Sequence, residues 1–229
     1  MQSLEVTTKP SSFYNRCIKI VYVSCCNIAN DPFEWSGSTE TAVKLLPYCQ
    51  GAEYVFWWIS MDCDVRLNNL LINMRPKRLD ADFINPLGTL QPDFSVPFFN
   101  NVTHLVIAHA PKDWTAIRAL PRLSHFLIDW IKEYPMPDSC DLLKVAVDVL
   151  SHCRTLKVCA IRYADGCGPN LDATLRELQD GRLVFIIAAD DWLLDWLSFA
   201  RGEPDTWVYA EAAVAKQTRQ GGRVEPIRC

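Results

Sequence analysis

Long apolar runs are missing from this chain. The longest, Tyr54 to Ser60 and Leu183 to Ala189, are strand-sized and fall far short of the roughly 20 residues that a membrane-spanning helix requires. A surplus of positive charge is missing as well. The 23 Lys and Arg are outnumbered by 27 Asp and Glu, for a net charge of −4, so no overall basic field draws the chain to a phosphate backbone or an anionic lipid surface. Neither nucleic acid nor a membrane is therefore expected as a partner. The stretch MQSLEVTTKPSSFYNR has no basic flank leading into an apolar segment, which is what a secretory signal needs. A cytoplasmic or nuclear location is the expectation.

Closely paired cysteines are also missing. Cys17, Cys25, Cys26, Cys49, Cys63, Cys140, Cys153, Cys159, Cys167 and Cys229 include no C-x-x-C spacing, whereas tetrahedral zinc usually recruits such pairs. Adjacent Cys25 and Cys26 are poorly placed for a disulfide, because neighbouring residues rarely meet its geometry. Several cysteines lie inside apolar runs, where a thiol behaves as a small hydrophobe, so reduced structural thiols are expected. No G-x-S-x-G elbow, H-E-x-x-H pair, calcium loop or phosphate-binding loop is present. On this basis no catalytic residue, metal site or cofactor is expected.

What the chain does have is an ordinary globular composition, 49% hydrophobic and 22% charged, with eight Trp and ten Phe to bury. It also has an internal period. The spacing apolar-x-x-apolar-x-apolar recurs as Ile18/Val21/Val23, Ala52/Val55/Trp57, Pro76/Leu79/Ala81, Val102/Leu105/Ile107, Leu123/Phe126/Ile128, Leu156/Cys159/Ile161 and Leu183/Ile186/Ala188. The last residues of successive triplets lie 34, 24, 26, 21, 33 and 27 positions apart. That is the spread of an irregular leucine-rich repeat, a short strand followed by a segment that returns to the same edge.

Helix-like segments separate the strands at 38–49, 64–74, 112–120, 141–153 and 170–180. In the fourth, Leu142, Val145, Val149 and Cys153 form one apolar stripe. The expected fold is thus α/β, an irregular leucine-rich-repeat-like solenoid with a largely parallel sheet and helices on one side. A single domain over 1–229 is expected, with about seven strand units and with C-terminal capping helices and a tail over 190–229. The rival is a doubly wound α/β enzyme with its site at strand C-terminal ends. Such a fold usually places a Gly-rich turn after its first strand, and here the chain reads Cys26-Asn27-Ile28-Ala29-Asn30-Asp31-Pro32 instead.

Candidate chemistry is sparse. His104 and His125 occupy equivalent places in VTHLVI and LSHFLI, so they are expected to stack on neighbouring strands as repeat residues bonded to nearby backbone. Asp165 to Asn170 reads as a turn with Asn170 as a helix cap. Asp190 and Asp191 follow the last strand, where enzymes often hold acids.

From about Ala52 to Ala215 the chain resembles a family of F-box-like leucine-rich-repeat proteins of mushroom-forming fungi. The resemblance rests on PDFSVPFFNNVTHLVIAHAPKDWTAIRALPRLSHFLIDW, on Ser151 to Val158 (SHCRTLKV), and on Asp191 to Trp196 followed by Ala200-Arg201-Gly202 and Trp207-Val208-Tyr209-Ala210. It implies a solenoid that carries protein partners, in some members behind an F-box that docks to a ubiquitin-ligase adaptor. Residues 1–40 depart from the F-box pattern.

The function expected is a non-catalytic protein-interaction scaffold. Side chains alternate along a strand, so residues beside the triplet positions project together on the other face. The binding candidates there are Tyr22, Phe56, Trp58, Asp80, Asp82, Asp129 and Arg162, since aromatic and Arg residues commonly anchor interfaces.

Overall fold

For the triplet spacing to mean a sheet, its second and third apolar residues must share one face in every strand. In the computed structural model they do so in six of the seven triplets. The structure describes residues 9–24, 39–58, 70, 73–81, 94–107, 115–130, 139–164, 180–188, 192–219 and 226–228. Strands β1 (Ile20–Ser24), β2 (Tyr54–Trp58), β3 (Arg78–Ala81), β4 (His104–Ile107), β5 (His125–Trp130), β6 (Val158–Ala164), β7 (Leu183–Ala188) and the two-residue β8 (Ile227–Arg228) form one sheet. Every neighbouring pair is parallel, and spatial order follows chain order from β1 to β8. The order reversal of a doubly wound sheet does not occur among the described strands.

The register lines the triplets up laterally. Val21, Val55, Leu79, Leu105, Phe126, Cys159 and Leu183 make one row, and Val23, Trp57, Ala81, Ile107, Ile128, Ile161 and Phe185 the next. Strand starts repeat one bonding pattern. The Lys19 carbonyl accepts from the amides of Glu53 and Tyr54, and the same paired bonds recur from Glu53 to 77 and 78, from Lys77 to 103 and 104, from Thr103 to 124 and 125, and from Ser124 to 157 and 158.

The seventh triplet is a correction. Leu183 pairs with Cys159, the second triplet position of its neighbour, so the third position on β7 is Phe185 and the first is Asp180. Ile186 turns to the opposite face and joins a different cluster. An odd register shift moves side chains across the sheet. Leu183 to Ile186 of the run LVFIIA are all buried, on both faces of the sheet, so the run has no period that could reveal the register. In place of an apolar first residue, Asp180 pairs with Arg182, whose guanidinium also donates to the carbonyls of Leu150 (2.9 Å) and Leu156 (3.4 Å).

The return segments fill the triplet side of the sheet. Helix α1 (Ser11–Cys17) precedes β1, with the Tyr14 ring edge-on to Tyr48. Helix α2 (Thr39–Leu45) tightens into a 3-10 turn, Leu46–Cys49, where Pro47 has no amide to continue the α pattern. Gly51 follows, and a Cβ there would fall 1.7 Å from the Asn15 carbonyl oxygen, so close chain approach explains this glycine. The expected helix over 112–120 is a short 3-10 turn, Thr115–Ala119, while α3 (Ser139–His152) realises the fourth segment and buries Val145 and Val149, with Cys153 buried just past its end. Most of 64–74 and all but the last residue of 170–180 lie outside the described residues. Phe98, Phe99, Ile117 and Leu120 join the same core. The thiols of Cys49 and Cys153 are buried, and burial pushes Cys49 up to about 11, in keeping with inert structural thiols.

Helices on one side only were expected, and the C-terminal pair departs from that. Helices α4 (Trp192–Arg201) and α5 (Thr206–Arg219) lie on the opposite face, where Trp207, Ala210 and Ala213 pack with Val106, Leu127, Val158, Ala160, Val184 and Ile186. A Schellman turn joins them. The amide of Glu203 donates to the Ser198 carbonyl and that of Gly202 to Phe199, with Gly202 at φ 73°, a left-handed position that favours glycine. No helix of the described residues is long and apolar enough to cross a membrane.

Two expectations follow. Phe126 is fully buried in the middle row, so Phe126→Ala should destabilise by about 3–5 kcal/mol, read as a lowered denaturant midpoint. Hydrogen bonds from Arg182 hold the Asp180 carboxyl below its ordinary value. Its contribution is therefore full above the unfolded-chain pKa, about 3.9, and is lost as pH falls through the depressed folded value. The melting temperature of Asp180→Asn should lie below that of the unaltered protein at neutral pH and converge with it in acid.

Candidate functional site

The six binding candidates that lie among the described residues are spread over two rows of the face opposite the triplets. Tyr22, Phe56 and Asp80 share one with Val106, Leu127, Ala160 and Val184. Trp58 pairs with Ser24, and Asp129 with Arg162, in the next. Asp82 lies outside the described residues, as do Asp190, Asp191 and 165–170. Tyr22 is half-buried and stacks on Phe56 with ring centroids 4.6 Å apart. Phe56, Asp80, Asp129 and Arg162 are buried, at 1%, 8%, 7% and 5% exposure.

The burial of three charged groups needs a partner for each. The Arg162 guanidinium donates from Nε to Asp129 Oδ1 (3.0 Å) and from Nη2 to Asp129 Oδ2, a two-pronged pair. Its Nη1 donates to Asp195 Oδ2 on α4 (3.0 Å) and lies 3.4 Å from Thr206 Oγ1 on α5. Burial by itself would lower the pKa of Arg162, but Asp129, Asp195 and Asp80 outweigh it and hold the guanidinium more firmly protonated than usual. Asp195 Oδ1 in turn accepts the Thr206 amide at 2.6 Å. The cluster thus fastens both C-terminal helices to β5 and β6.

A further row on this face was not singled out as a binding row from the sequence. It runs Ile20, Tyr54, Arg78, His104, His125 and Val158. Arg78 donates to Asp205 Oδ2 (2.6 Å) and lies over the Phe199 ring at 4.3 Å, while Phe199 meets Tyr54 edge-on. Asp205 Oδ1 accepts from the amides of Trp207 and Val208, both at 3.1 Å, which caps α5. The histidines stack as the repeated pattern predicts, with centroids 4.0 Å apart and planes 6° from parallel. Trp207 packs roughly perpendicular to both rings, with centroids 5.2 and 5.5 Å away. His125 Nε2 lies 2.9 Å from Glu211 Oε1, and burial pushes His104 down to about 3.

The only clue in the sequence to this row is the repeated hydroxyl-His pair, 103–104 and 124–125. Asp205 at the N-cap of α5 and Glu211 within it reach this row, and no local pattern encodes the docking face of that helix. No family model, curated protein or solved structure matches the chain.

Removing the Arg162 side chain would leave Asp129 buried without its partner. Arg162→Ala should cost about 3–5 kcal/mol, and Arg162→Lys should recover only part of it because an ammonium cannot reproduce the two-pronged geometry. Chemical unfolding of the two variants checks both statements.

Proposed function

We propose that the chain is a non-catalytic protein-interaction scaffold, an irregular leucine-rich-repeat-like solenoid working in the cytoplasm or nucleus. The observation that carries this reading is the strand order: each described strand adds beside its predecessor, with the same paired bonds at successive strand starts. Stacked units of that kind create extended surfaces, the feature solenoids use for binding. The resemblance to F-box-like leucine-rich-repeat proteins supports substrate recognition of the sort linked to ubiquitin-ligase adaptors.

In this reading the partner surface is the β1 end of the strand face. Arg78, Arg162 and the histidines are engaged by α4 and α5, so they act as internal fasteners. Tyr22 on β1 remains half-buried, and Trp58 and Asp82 complete the proposed binding set. Large aromatic groups at such a surface supply contact area at modest entropic cost.

The test is affinity purification of the full chain from its host, with bound proteins identified by mass spectrometry, repeated with Trp58→Ala and Asp82→Ala. Loss of a specific partner from both variants at unchanged melting temperature is the expected outcome. Retention of the same partners by both would sink the proposed surface.

A further inference from the structure

The hydroxyl-His pairs on β4 and β5 do more than stack. Thr103 Oγ1 donates to the Lys77 carbonyl (3.0 Å) and lies 2.9 Å from His104 Nδ1. Ser124 Oγ donates to the Thr103 carbonyl (3.1 Å) and lies 2.8 Å from His125 Nδ1. A hydroxyl has one hydrogen, and here each is spent on a backbone carbonyl. Each oxygen is left to accept from the imidazole, so Nδ1 carries the proton in both rings. The lone pair of each neutral ring is then on Nε2.

Glu211 completes the arrangement from α5. One ring nitrogen of each histidine and a Glu211 carboxylate oxygen all lie within 4.8 Å of one another, and His125 Nε2 approaches Glu211 Oε1 to 2.9 Å. With Nδ1 protonated on both rings, three lone-pair groups converge with no donor between them. That is an electrostatic conflict. A proton shared between His125 Nε2 and Glu211 would relieve it for one pair, and a cation would relieve it for all three groups.

We propose that His104, His125 and Glu211 bind one divalent transition ion of the zinc class, which ties α5 to the sheet. Two imidazoles and one carboxylate are a borderline nitrogen and oxygen set, suited to zinc, cobalt, nickel or copper and poorly suited to calcium or magnesium. Three protein ligands would leave a fourth position for water or an incoming group. Hydrogen-bonding Nδ1–H to a fixed acceptor is how metal-ligating histidines are oriented, and the Thr103 and Ser124 hydroxyls do this here. His125 is buried, whereas the Glu211 side chain is 58% exposed, so the ion would enter from the carboxylate side. The near-parallel rings point their lone pairs alongside each other, and binding therefore entails turning the rings toward a common centre at the expense of their stacking. Arg78 and Lys157 also bear on His104. The Arg78 charge is offset by Asp205.

The experiment uses the full chain, stripped with a chelator and titrated with zinc and, separately, with cobalt. Expected are one equivalent bound, visible cobalt d–d absorption, and a zinc-induced rise in melting temperature. His104→Gln and Glu211→Gln should each lower affinity by at least tenfold and abolish the cobalt bands, while Glu203→Gln, an exposed acid away from the cluster, should bind as the unaltered protein does. Circular dichroism in chelator establishes that each variant is folded. Absence of stoichiometric binding would overturn the site, as would binding that persists undiminished in both ligand variants and so comes from surface His152 or Cys17. A His125–Glu211 hydrogen bond with no metal affinity is that same negative result.

Discussion

Lateral register is the constraint on which the rest of this structure depends. In a parallel sheet each strand is locked to its neighbour by slanted backbone bonds, and a shift of one residue would send every side chain to the wrong face. Here the lock is renewed at successive strand starts, where one carbonyl receives two amides of the next strand. Because the lock repeats, a row of seven buried side chains can run from Val21 to Leu183 without interruption. The return segments then need only supply apolar groups of suitable size. They do so with unlike devices, a helix in α3, a 3-10 turn at Thr115–Ala119 and an aromatic cluster at Phe94, Phe98 and Phe99.

The same register organises the second face. Polar residues that fall in step on adjacent strands become neighbours in space, so Asp129 sits beside Arg162 and His104 beside His125. These groups could not be covered by an apolar helix alone, since burying an unpaired charge is costly. Helices α4 and α5 cover them with complementary atoms: Asp195 and Thr206 for Arg162, Asp205 for Arg78, Glu211 for His125. Apolar contact by Trp207, Ala210 and Ala213 supplies area, and the polar pairs specify where along the sheet the helix rests.

That arrangement bears on function. A strand face filled by the chain's own C-terminal helices offers a partner less surface than a bare array would, which confines the proposed docking region to the β1 end. It also brings α5 within reach of the histidine pair. An ion shared by the strands and the helix would couple the occupancy of that site to how firmly the helix is held.

Much of this was legible from spacing. The triplets at β1 to β6 predicted strand positions, parallel order and the buried rows, because short strands with one repeated period have few alternatives. The stacking of His104 on His125 was readable from two matching hexapeptides. Failure came where period vanished: Leu183 to Ala188 is apolar throughout, and its register follows from bonding to β6. The helices of the second face were misplaced for a different reason.

What the sequence determined by itself was therefore local and repetitive: the strand positions, the composition of the core and the absence of a familiar catalytic motif. Tertiary structure alone decided that α4 and α5 fold back over the strand face, that Phe56, Asp80, Asp129 and Arg162 become interior, and that Glu211 meets His125 across 86 positions of chain. Those outcomes depend on long-range pairing between charges and hydroxyls, and such groups carry no period that marks them as partners until the sheet has set their spacing.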